Sequence, residues 1–442
     1  MPSRPSRHAG LPYCDLRHRC IHRSTHRVVD TMAGRTPLAT SRASHARRGL
    51  ASLAPPPSRQ EPQVSEKVGD RVRATGSGPD SEESTPAETA IATIPVAGRV
   101  HDITVSPDGE HVYVARSDSI VAINRWHHIV AWIPISGSVK SLEMVADGKQ
   151  LFVVDYDGSV LVVDTRDHTT RTLWGGCTSD VVVSPDGRHL YAAHNLDDDG
   201  GPNGVVSVID IAGATTVAVV PVVPVVPVND VAALAISPDG SRLYAVSHDR
   251  GTYYQYPAGW LTIIDTASHV VVETIAVGAC PETVTASPDG VYLYITHYDT
   301  CSVSAVNLAT GDVTAVVLRD APLAVVFSPD SGHAYVRDVR SLTVIDTTTN
   351  DAADIDAGDL PRALQLSPDG KRAYISNFGD GTLSVVDTIT NSVATTVDVP
   401  GCPEAVAVSP DGERIYVGDY WSGAVAVISV PTVCDLHTDA AS

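Results

Sequence analysis

Aromatic residues and long apolar runs are scarce in this chain of 442 residues. Aromatic side chains make up 5% of it, with only 3 Phe. No apolar run reaches about 18 residues, so a transmembrane helix is excluded. The run GLASLA after Arg47 and Arg48 is too short for a signal peptide and ends at prolines 55–57. We therefore expect a cytoplasmic protein, with the cell surface or secretion as the alternative.

Basic residues are also few outside the N-terminal part. The chain has 31 Lys and Arg against 52 Asp and Glu, for a net charge of -21. Residues 1–88 hold 14 bases and 9 acids, whereas residues 89–442 hold 17 bases and 43 acids. Nucleic acid is excluded as a partner of this acidic body, because phosphate binding needs clustered Lys and Arg.

Common catalytic motifs are missing as well. There is no G-x-S-x-G elbow, no P-loop and no G-x-G-x-x-G after a strand. The 7 Cys are an odd number, so complete pairing within the chain is excluded. We predict no cofactor.

Residues 1–88 are rich in Arg, Ser, Pro and His without apolar periodicity, which predicts a disordered segment. Cys14, Cys20, His22 and His26 are zinc-ligand types, but their spacing matches no known finger. We favour a tail, with Met32 as an alternative natural start.

What the rest of the chain does have is a repeat. SPDG begins at residues 106, 184, 237, 287, 367 and 409, with the variants SPDSG at 328 and VADG at 145. The spacings are 39, 39, 53, 50, 41, 39 and 42 residues. Each unit holds four short runs of Val, Ile, Thr and Tyr separated by turn residues, which predicts four antiparallel strands, here named a to d. Such units are the blades of a β-propeller.

The number of blades follows from the order of the runs. There are eight a–b turns, but no d-type run follows the last one. ETAIATIPVAG, residues 88–98, precedes the first a strand and can complete the last blade. We predict an all-β propeller of eight four-stranded blades over residues 89–431, closed by this N-terminal strand, with a C-terminal tail at 432–442. Seven blades are the alternative, with VADG as the doubtful unit.

The repeated motif itself is a turn. Pro fixes φ at the second position of the turn, Asp is favoured at the third, and Gly adopts the left-handed conformation that follows. A turn needed in every unit explains Asp411 and its equivalents without catalysis.

Blade seven reads ALQLSPDGKRAYISNFGDGTLSVVDTITNSVATTVDV. It resembles the YVTN-type β-propeller repeat family, and the whole chain is similar to mycobacterial propeller proteins. Members of that family usually have seven blades and occur in prokaryotic surface-layer and secreted proteins, beside lactonase-like propellers. The resemblance thus implies a propeller and two alternatives for function: an envelope or secreted interaction protein, and a metal-dependent hydrolase.

The b–c and d–a loops share one face of a propeller, which is its usual binding face. Blades three and four carry insertions in their b–c loops, residues 194–204 and 247–260, and loops on rigid scaffolds often carry function. With histidines of the same face, they form the predicted ligand- or partner-binding set: His194, Asp197, Asp198, Asp199, His248, Tyr253, Tyr254, Tyr256, Trp260 and His297.

A lactonase-type metal site at the channel mouth has weaker support, because no motif selects its ligands. Its candidates are Asp155, Cys280, Glu282 and Glu404. Cys177, Cys280 and Cys402 share one position in non-neighbouring blades, so we predict free thiols. The sequence favours a non-enzymatic, monomeric binding or scaffold protein that presents these loops to a protein or a small ligand.

Overall fold

The computed structural model describes residues 89–176, 178–195, 204–222, 229–249 and 258–430. These residues belong to a unit that spans Ser81–Ser442. The predicted disordered segment 1–88 and the tail 432–442 lie outside the described residues. Every regular element in the described ranges is a β-strand, and the strands form eight four-stranded antiparallel sheets. The predicted propeller of eight blades is confirmed.

Blades 1 to 4 follow each other along the chain, each in the order a, b, c, d. Their strands are β2 (Val100–Val105), β3 (His111–Arg116), β4 (Ser119–Asn124), β5 (Ile129–Pro134), β6 (Val139–Met144), β7 (Gln150–Asp155), β8 (Val160–Asp164), β9 (Thr170–Trp174), β10 (Thr178–Val183), β11 (His189–Asn195), β12 (Gly204–Asp210), β13 (Thr215–Pro221), β14 (Asn229–Ile236), β15 (Arg242–Asp249), β16 (Gly259–Asp265) and β17 (Val270–Val277).

Blades 5 to 8 continue the same order, and blade 8 takes its d strand from the N-terminal side. Their strands are β18 (Pro281–Ala286), β19 (Tyr292–His297), β20 (Ser302–Asn307), β21 (Val313–Val317), β22 (Pro322–Phe327), β23 (His333–Asp338), β24 (Leu342–Asp346), β25 (Ala352–Ile355), β26 (Pro361–Leu366), β27 (Arg372–Asn377), β28 (Thr382–Asp387), β29 (Ser392–Asp398), β30 (Pro403–Val408), β31 (Arg414–Asp419), β32 (Ala424–Ser429) and β1 (Thr89–Pro95).

The ring closes where β1 pairs with β32. Thr93 lies opposite Ala426 and Ile94 opposite Val425, in antiparallel register. Ile94 is buried between blades 8 and 1, whereas Ile91 on the other face of the same strand is exposed. The predicted closing strand is therefore confirmed, and it joins the first and last parts of the described chain.

The core lies between neighbouring blades. Each of its eight clusters combines apolar residues of two adjacent sheets, as Tyr416 of blade 8 packs with Val112 and Val114 of blade 1. Strand b supplies the largest wedge, a tyrosine in most blades. These fully buried side chains are Tyr113, Tyr191, Tyr294, Tyr335, Tyr374 and Tyr416. The few aromatic residues of the chain are thus concentrated where wedge-shaped gaps between blades need large side chains.

The repeated motif forms the a–b turn, as predicted. In blade 3 the Ser184 hydroxyl donates to Asp186 at 2.6 Å and accepts from the His189 amide at 2.9 Å. Gly187 takes the left-handed position at φ 69°. In the degenerate unit of blade 2 the backbone bond from the Gly148 amide to the Val145 carbonyl still forms at 2.8 Å. The doubtful unit thus keeps the same turn without its serine.

The chain reverses at each strand, so the loops fall on two faces. The upper face, as named here, carries the d–a and b–c loops, and the lower face carries the a–b and c–d turns. Contacts between the inner strands of adjacent blades, such as β2 with β6 and β30, place the a strands around the central axis. In the described ranges no helix is long and apolar enough to cross a membrane.

Candidate functional site: the mouth of the upper face

A polar side chain at the end of strand b braces the upper face in most blades. These are the residues of one repeat position, most of them buried: Arg116, Asp155, His194, Ser247, His297, Asp338, Asn377 and Asp419. Buried polar groups need hydrogen-bond partners. Except for the Ser247 hydroxyl, which has no partner among the described residues, they bond to the adjoining loops or to strand c.

Asp419 of blade 8 shows how the brace works. Its Oδ2 accepts the Cys402 amide of the d–a loop at 3.0 Å. Its Oδ1 accepts the amides of Trp421 and Ser422 in the b–c loop at 2.6 and 2.7 Å. Gly401 passes so close that a Cβ there would overlap the carboxylate. One buried carboxylate thus holds both loops, and with them the backbone of Trp421.

His297, predicted as a ligand-binding residue, occupies the same position in blade 5. It is completely buried, and its Nδ1 and Nε2 lie 2.8 Å from the Ala279 carbonyl and the Ser304 hydroxyl. Burial lowers its pKa, although the bond to Ala279 acts in the opposite direction. The structure places this imidazole inside the blade, where it joins the d–a loop to strand c.

In blades 2, 7 and 8 the residue after the brace is aromatic. The amides of Tyr156, Phe378 and Tyr420 donate to d–a loop carbonyls of their own blades at 2.9, 3.1 and 3.0 Å. This shared bond fixes the backbone in the same way in blades 2, 7 and 8. Three aromatic side chains are therefore set at equivalent points around the axis.

These aromatic residues meet others to form a continuous group across blades 7, 8, 1 and 2. We call it the mouth collar, and it consists of Arg99, His101, Tyr156, Phe378, Tyr420 and Trp421. The sequence predictions missed all six. The aromatic column Tyr156, Tyr298, Phe378 and Tyr420, eleven residues after each motif start, is the signal that could have found part of it.

Ring contacts link the collar from blade to blade. The Tyr420 ring lies 4.8 Å from the Trp421 ring, 6.3 Å from the Phe378 ring and 5.6 Å from the His101 ring. His101 in turn lies 5.9 Å from Tyr156. Most of these pairs are edge-to-face, a favourable geometry for aromatic rings. The collar is a connected surface rather than a set of isolated side chains.

Much of this surface faces solvent. Tyr156 is 62% exposed and Trp421 is 59% exposed. The Arg99 guanidinium lies 4.6 Å from the Trp421 ring and 5.2 Å from the Tyr420 ring, within the range of a cation–π interaction. Its Nη1 reaches the Tyr420 hydroxyl at 3.4 Å. The collar therefore presents large aromatic faces and one oriented cation.

The charge balance differs between the collar and the channel below it. Burial, with a contribution from Arg99, lowers the pKa of His101, so this imidazole is neutral at pH 7. Arg362 beside the collar stacks on Phe378 at 5.0 Å and lies 3.7 Å from the Glu404 carboxylate. Arg99 is left as the uncompensated charge of the collar.

Below the collar, carboxylates on three inner strands bridge to the next blade. Asp102 accepts the Leu142 amide and Asp180 accepts the Leu234 amide, each at 2.8 Å. Burial raises the pKa of Asp102 to about 6 and that of Glu143 to about 7, against the opposing effect of backbone amide donors. The inner strands of blades 1 to 3 thus carry carboxylates below the collar, which itself carries none.

Several predicted binding residues lie on blades 3 and 4, away from the collar. His194 binds the Ser207 hydroxyl at 2.8 Å and packs 5.1 Å from the Trp174 ring. His248 lies near the end of strand β15, and Trp260 lies within strand β16 rather than in the loop. The other members of the set, Asp197, Asp198, Asp199, Tyr253, Tyr254 and Tyr256, lie outside the described residues.

The metal candidates are not brought together. In the described ranges no three His, Cys, Asp or Glu side chains form a group that could hold a metal ion. Asp155 accepts the Ser159 amide at 2.8 Å, and Glu404 lies beside Arg362. Burial, with the charge of Asp299 next, raises the pKa of the Cys280 thiol to about 11. Glu282 has an interaction partner of its own.

The predicted thiols are free where they are described. Cys280 and Cys402 are both unpaired and half-buried, as is Cys301. Cys177 lies outside the described residues.

Eight four-stranded blades in a ring closed by β1 define the chain as a β-propeller protein. No protein-family model matches it. A seven-bladed β-propeller protein of Mycobacterium tuberculosis is 36% identical over 124 residues, which is 28% of this chain. The match spans 28% of that relative's length. The predicted resemblance to mycobacterial propeller proteins is confirmed over this segment, although the present chain has eight blades.

Solved structures agree on the fold. The C-terminal WD40 domain of Sif2 superposes with a TM-score of 0.61 at 11% identity, covering 78% of this chain and 99% of that domain. Hydrazine synthase of Kuenenia stuttgartiensis gives a TM-score of 0.50 at 21% identity, over 79% of this chain and 98% of that one. At such identities the likeness concerns the fold alone.

Proposed function

We propose that the protein is a non-enzymatic scaffold that holds a peptide segment of a partner protein at the mouth collar. The observation that carries the proposal is the aromatic surface formed by the exposed Tyr156 and Trp421 and the half-buried Tyr420, held by braced loops. Aromatic residues and Arg dominate the binding energy of protein interfaces, because they give large contact area at low entropic cost. A rigid collar also avoids the cost of ordering loops on binding.

The shape of the site supports a peptide rather than a flat protein surface. The collar surrounds part of the axis on four neighbouring blades, and its rings stand edge to face in one connected surface. An extended segment can lie along this surface and cover several rings, whereas a flat surface would touch only the most exposed rings. The acidic channel wall below limits how deep an acidic segment can go.

A library of random heptapeptides on phage, panned over the immobilised protein, tests the proposal. Trp421→Ala removes a large exposed ring of the collar and the stacking partner of Arg99, and truncating a Trp at a binding hot spot typically weakens binding by about 30-fold or more. Trp126→Ala is the matched control, since Trp126 is 65% exposed on the lower face and also stacks on an arginine, at 4.7 Å from Arg125.

Wild type and Trp126→Ala should enrich the same peptides, and Trp421→Ala should lose them. A wild-type protein that enriches nothing, or equal enrichment by all three proteins, contradicts the proposal. Melting curves of the three proteins confirm that both variants are folded.

A further inference from the structure

The arginines of the propeller are mostly neutralised by nearby acids. Eight of them lie within 4 Å of a carboxylate oxygen: Arg116, Arg125, Arg166, Arg188, Arg242, Arg319, Arg340 and Arg362. Arg99 is exposed and makes no ion pair among the described residues. In a body with 43 acids and 17 bases, a guanidinium without a carboxylate is unexpected.

Arg125 on the lower face shows what Arg99 lacks. Both guanidiniums stack on an exposed tryptophan, at 4.7 Å from Trp126 and 4.6 Å from Trp421. Arg125 also donates to the Glu110 carboxylate at 2.7 Å, whereas Arg99 reaches only the Tyr420 hydroxyl at 3.4 Å. The stacked arginine of the lower face therefore has a carboxylate partner within the chain, whereas the stacked arginine of the upper face has none among the described residues.

Stacking leaves the best donors of Arg99 available. A guanidinium that lies over an aromatic ring uses its face for the ring, while its N–H groups point outward in the plane. This fork matches the two oxygens of a carboxylate. Because the rings of Trp421 and Tyr420 hold it in place, little side-chain entropy is lost when it binds an anion.

The surroundings limit the charge of the ligand. His101 is neutral at pH 7, and Arg362 has Glu404 as its partner. The acidic body repels extended polyanions. A single negative charge with apolar or aromatic neighbours fits the collar best.

We propose that Arg99 anchors one carboxylate of the bound peptide segment, and that an aromatic or aliphatic side chain next to this carboxylate packs on Trp421 or Tyr156. The inference rests on the proposed function, since it names the ligand class of the same collar. The carboxylate is that of an Asp or Glu side chain within the segment, and it presents two oxygens to the guanidinium fork.

The sequences of peptides enriched by wild type and by Arg99→Gln test the inference. Wild type should enrich peptides with an acidic residue beside an aromatic or aliphatic one. Arg99→Gln should keep the aromatic preference and lose the acidic one, and the control Arg125→Gln should keep both. Wild-type peptides that are aromatic but not acidic overturn the inference and leave the proposed function standing. No wild-type enrichment overturns both.

Fluorescence polarisation with the most enriched peptide, labelled with fluorescein, then measures the anchor. Replacing its acidic side chain by the amide should weaken binding to wild type about tenfold or more, because hydrogen bonds to charged groups are the strong ones. Arg99→Gln should bind both peptides equally, and Arg99→Lys should recover part of the difference. The inference is overturned if the amide substitution in the peptide weakens binding to Arg99→Gln as much as it weakens binding to wild type.

An amidated C-terminus on the same peptide tests the other source of a carboxylate. It should leave the Arg99 dependence unchanged. An Arg99 dependence that is abolished by C-terminal amidation and not by the side-chain amide overturns the inference.

Discussion

Gly401→Ala should destabilise the propeller through the brace in blade 8. Gly401 has a φ of 95°, which L side chains rarely adopt, and its added Cβ would overlap the buried Asp419 carboxylate. Backbone strain alone costs about 1–2 kcal/mol. Displacing Asp419 from the amides of Cys402, Trp421 and Ser422 adds about 1–3 kcal/mol. We expect a total loss of about 2–5 kcal/mol in the free energy of unfolding.

Gly412→Ala in the same blade separates the two causes. Gly412 also has a positive φ, 74°, but its Cβ would meet only the Pro368 Cδ at 3.6 Å, an ordinary contact. This variant should lose the strain cost alone. Urea unfolding followed by circular dichroism measures both, with unchanged slopes showing that the midpoints report stability. Equal losses in the two variants would refute the role assigned to Asp419.

Three further predictions test closure, the channel and the thiols. Ile94→Ala should cost about 2–4 kcal/mol of unfolding free energy, because Ile94 is buried in the closing strand. Ile91→Ala, at an exposed position of the same strand, should cost below about 0.5 kcal/mol. Equal urea midpoints of the two variants would argue against closure by β1. Burial raises the pKa of Glu143 from 4.5 to about 7, so its contribution to stability is fully present below pH 4.5 and lost as the pH rises through 7. Glu143→Gln should therefore be about 1–3 kcal/mol more stable than wild type at pH 8 and nearly equal to it at pH 4, and a difference independent of pH would contradict this. The pKa of Cys280 is raised to about 11, so iodoacetamide should modify this thiol at pH 8 roughly 100-fold more slowly than a thiol in an unfolded peptide. Mass spectrometry can follow the modification. A rate equal to that of the unfolded peptide would show that burial does not raise the pKa of the thiol.

Local features of the fold were predictable because their causes are local. The a–b turn depends on the Ser184 hydroxyl, the Asp186 carboxylate and a glycine within a few residues of one another. The repeat of this turn gives the number of blades, and the missing d strand at the end gives the closure. The aromatic residues eleven places after four of the eight motif starts, Tyr156 among them, were also visible in the sequence.

The collar itself could not be read from the sequence, because it depends on closure. Arg99 and Tyr420 are 321 positions apart, yet they touch because β1 joins blade 8 to blade 1. The structure also places the imidazole of His297, whose residue type suggested a ligand, inside the blade. Whether a polar side chain at the end of strand b faces solvent or the blade is decided by the approach of the d–a loop, and residue types alone do not reveal it.

Fluorine NMR of protein labelled with 5-fluorotryptophan tests the central claim, that ligands bind at the mouth collar, most directly. The chain has 5 tryptophans, of which Trp126, Trp132 and Trp421 are exposed at 65%, 50% and 59%. Each resonance can be assigned by a single Trp→Phe variant. Titration with an enriched peptide should shift the Trp421 resonance and leave those of Trp126 and Trp132 unchanged. A shift at Trp126 or Trp132 without one at Trp421 would place binding elsewhere and contradict the account.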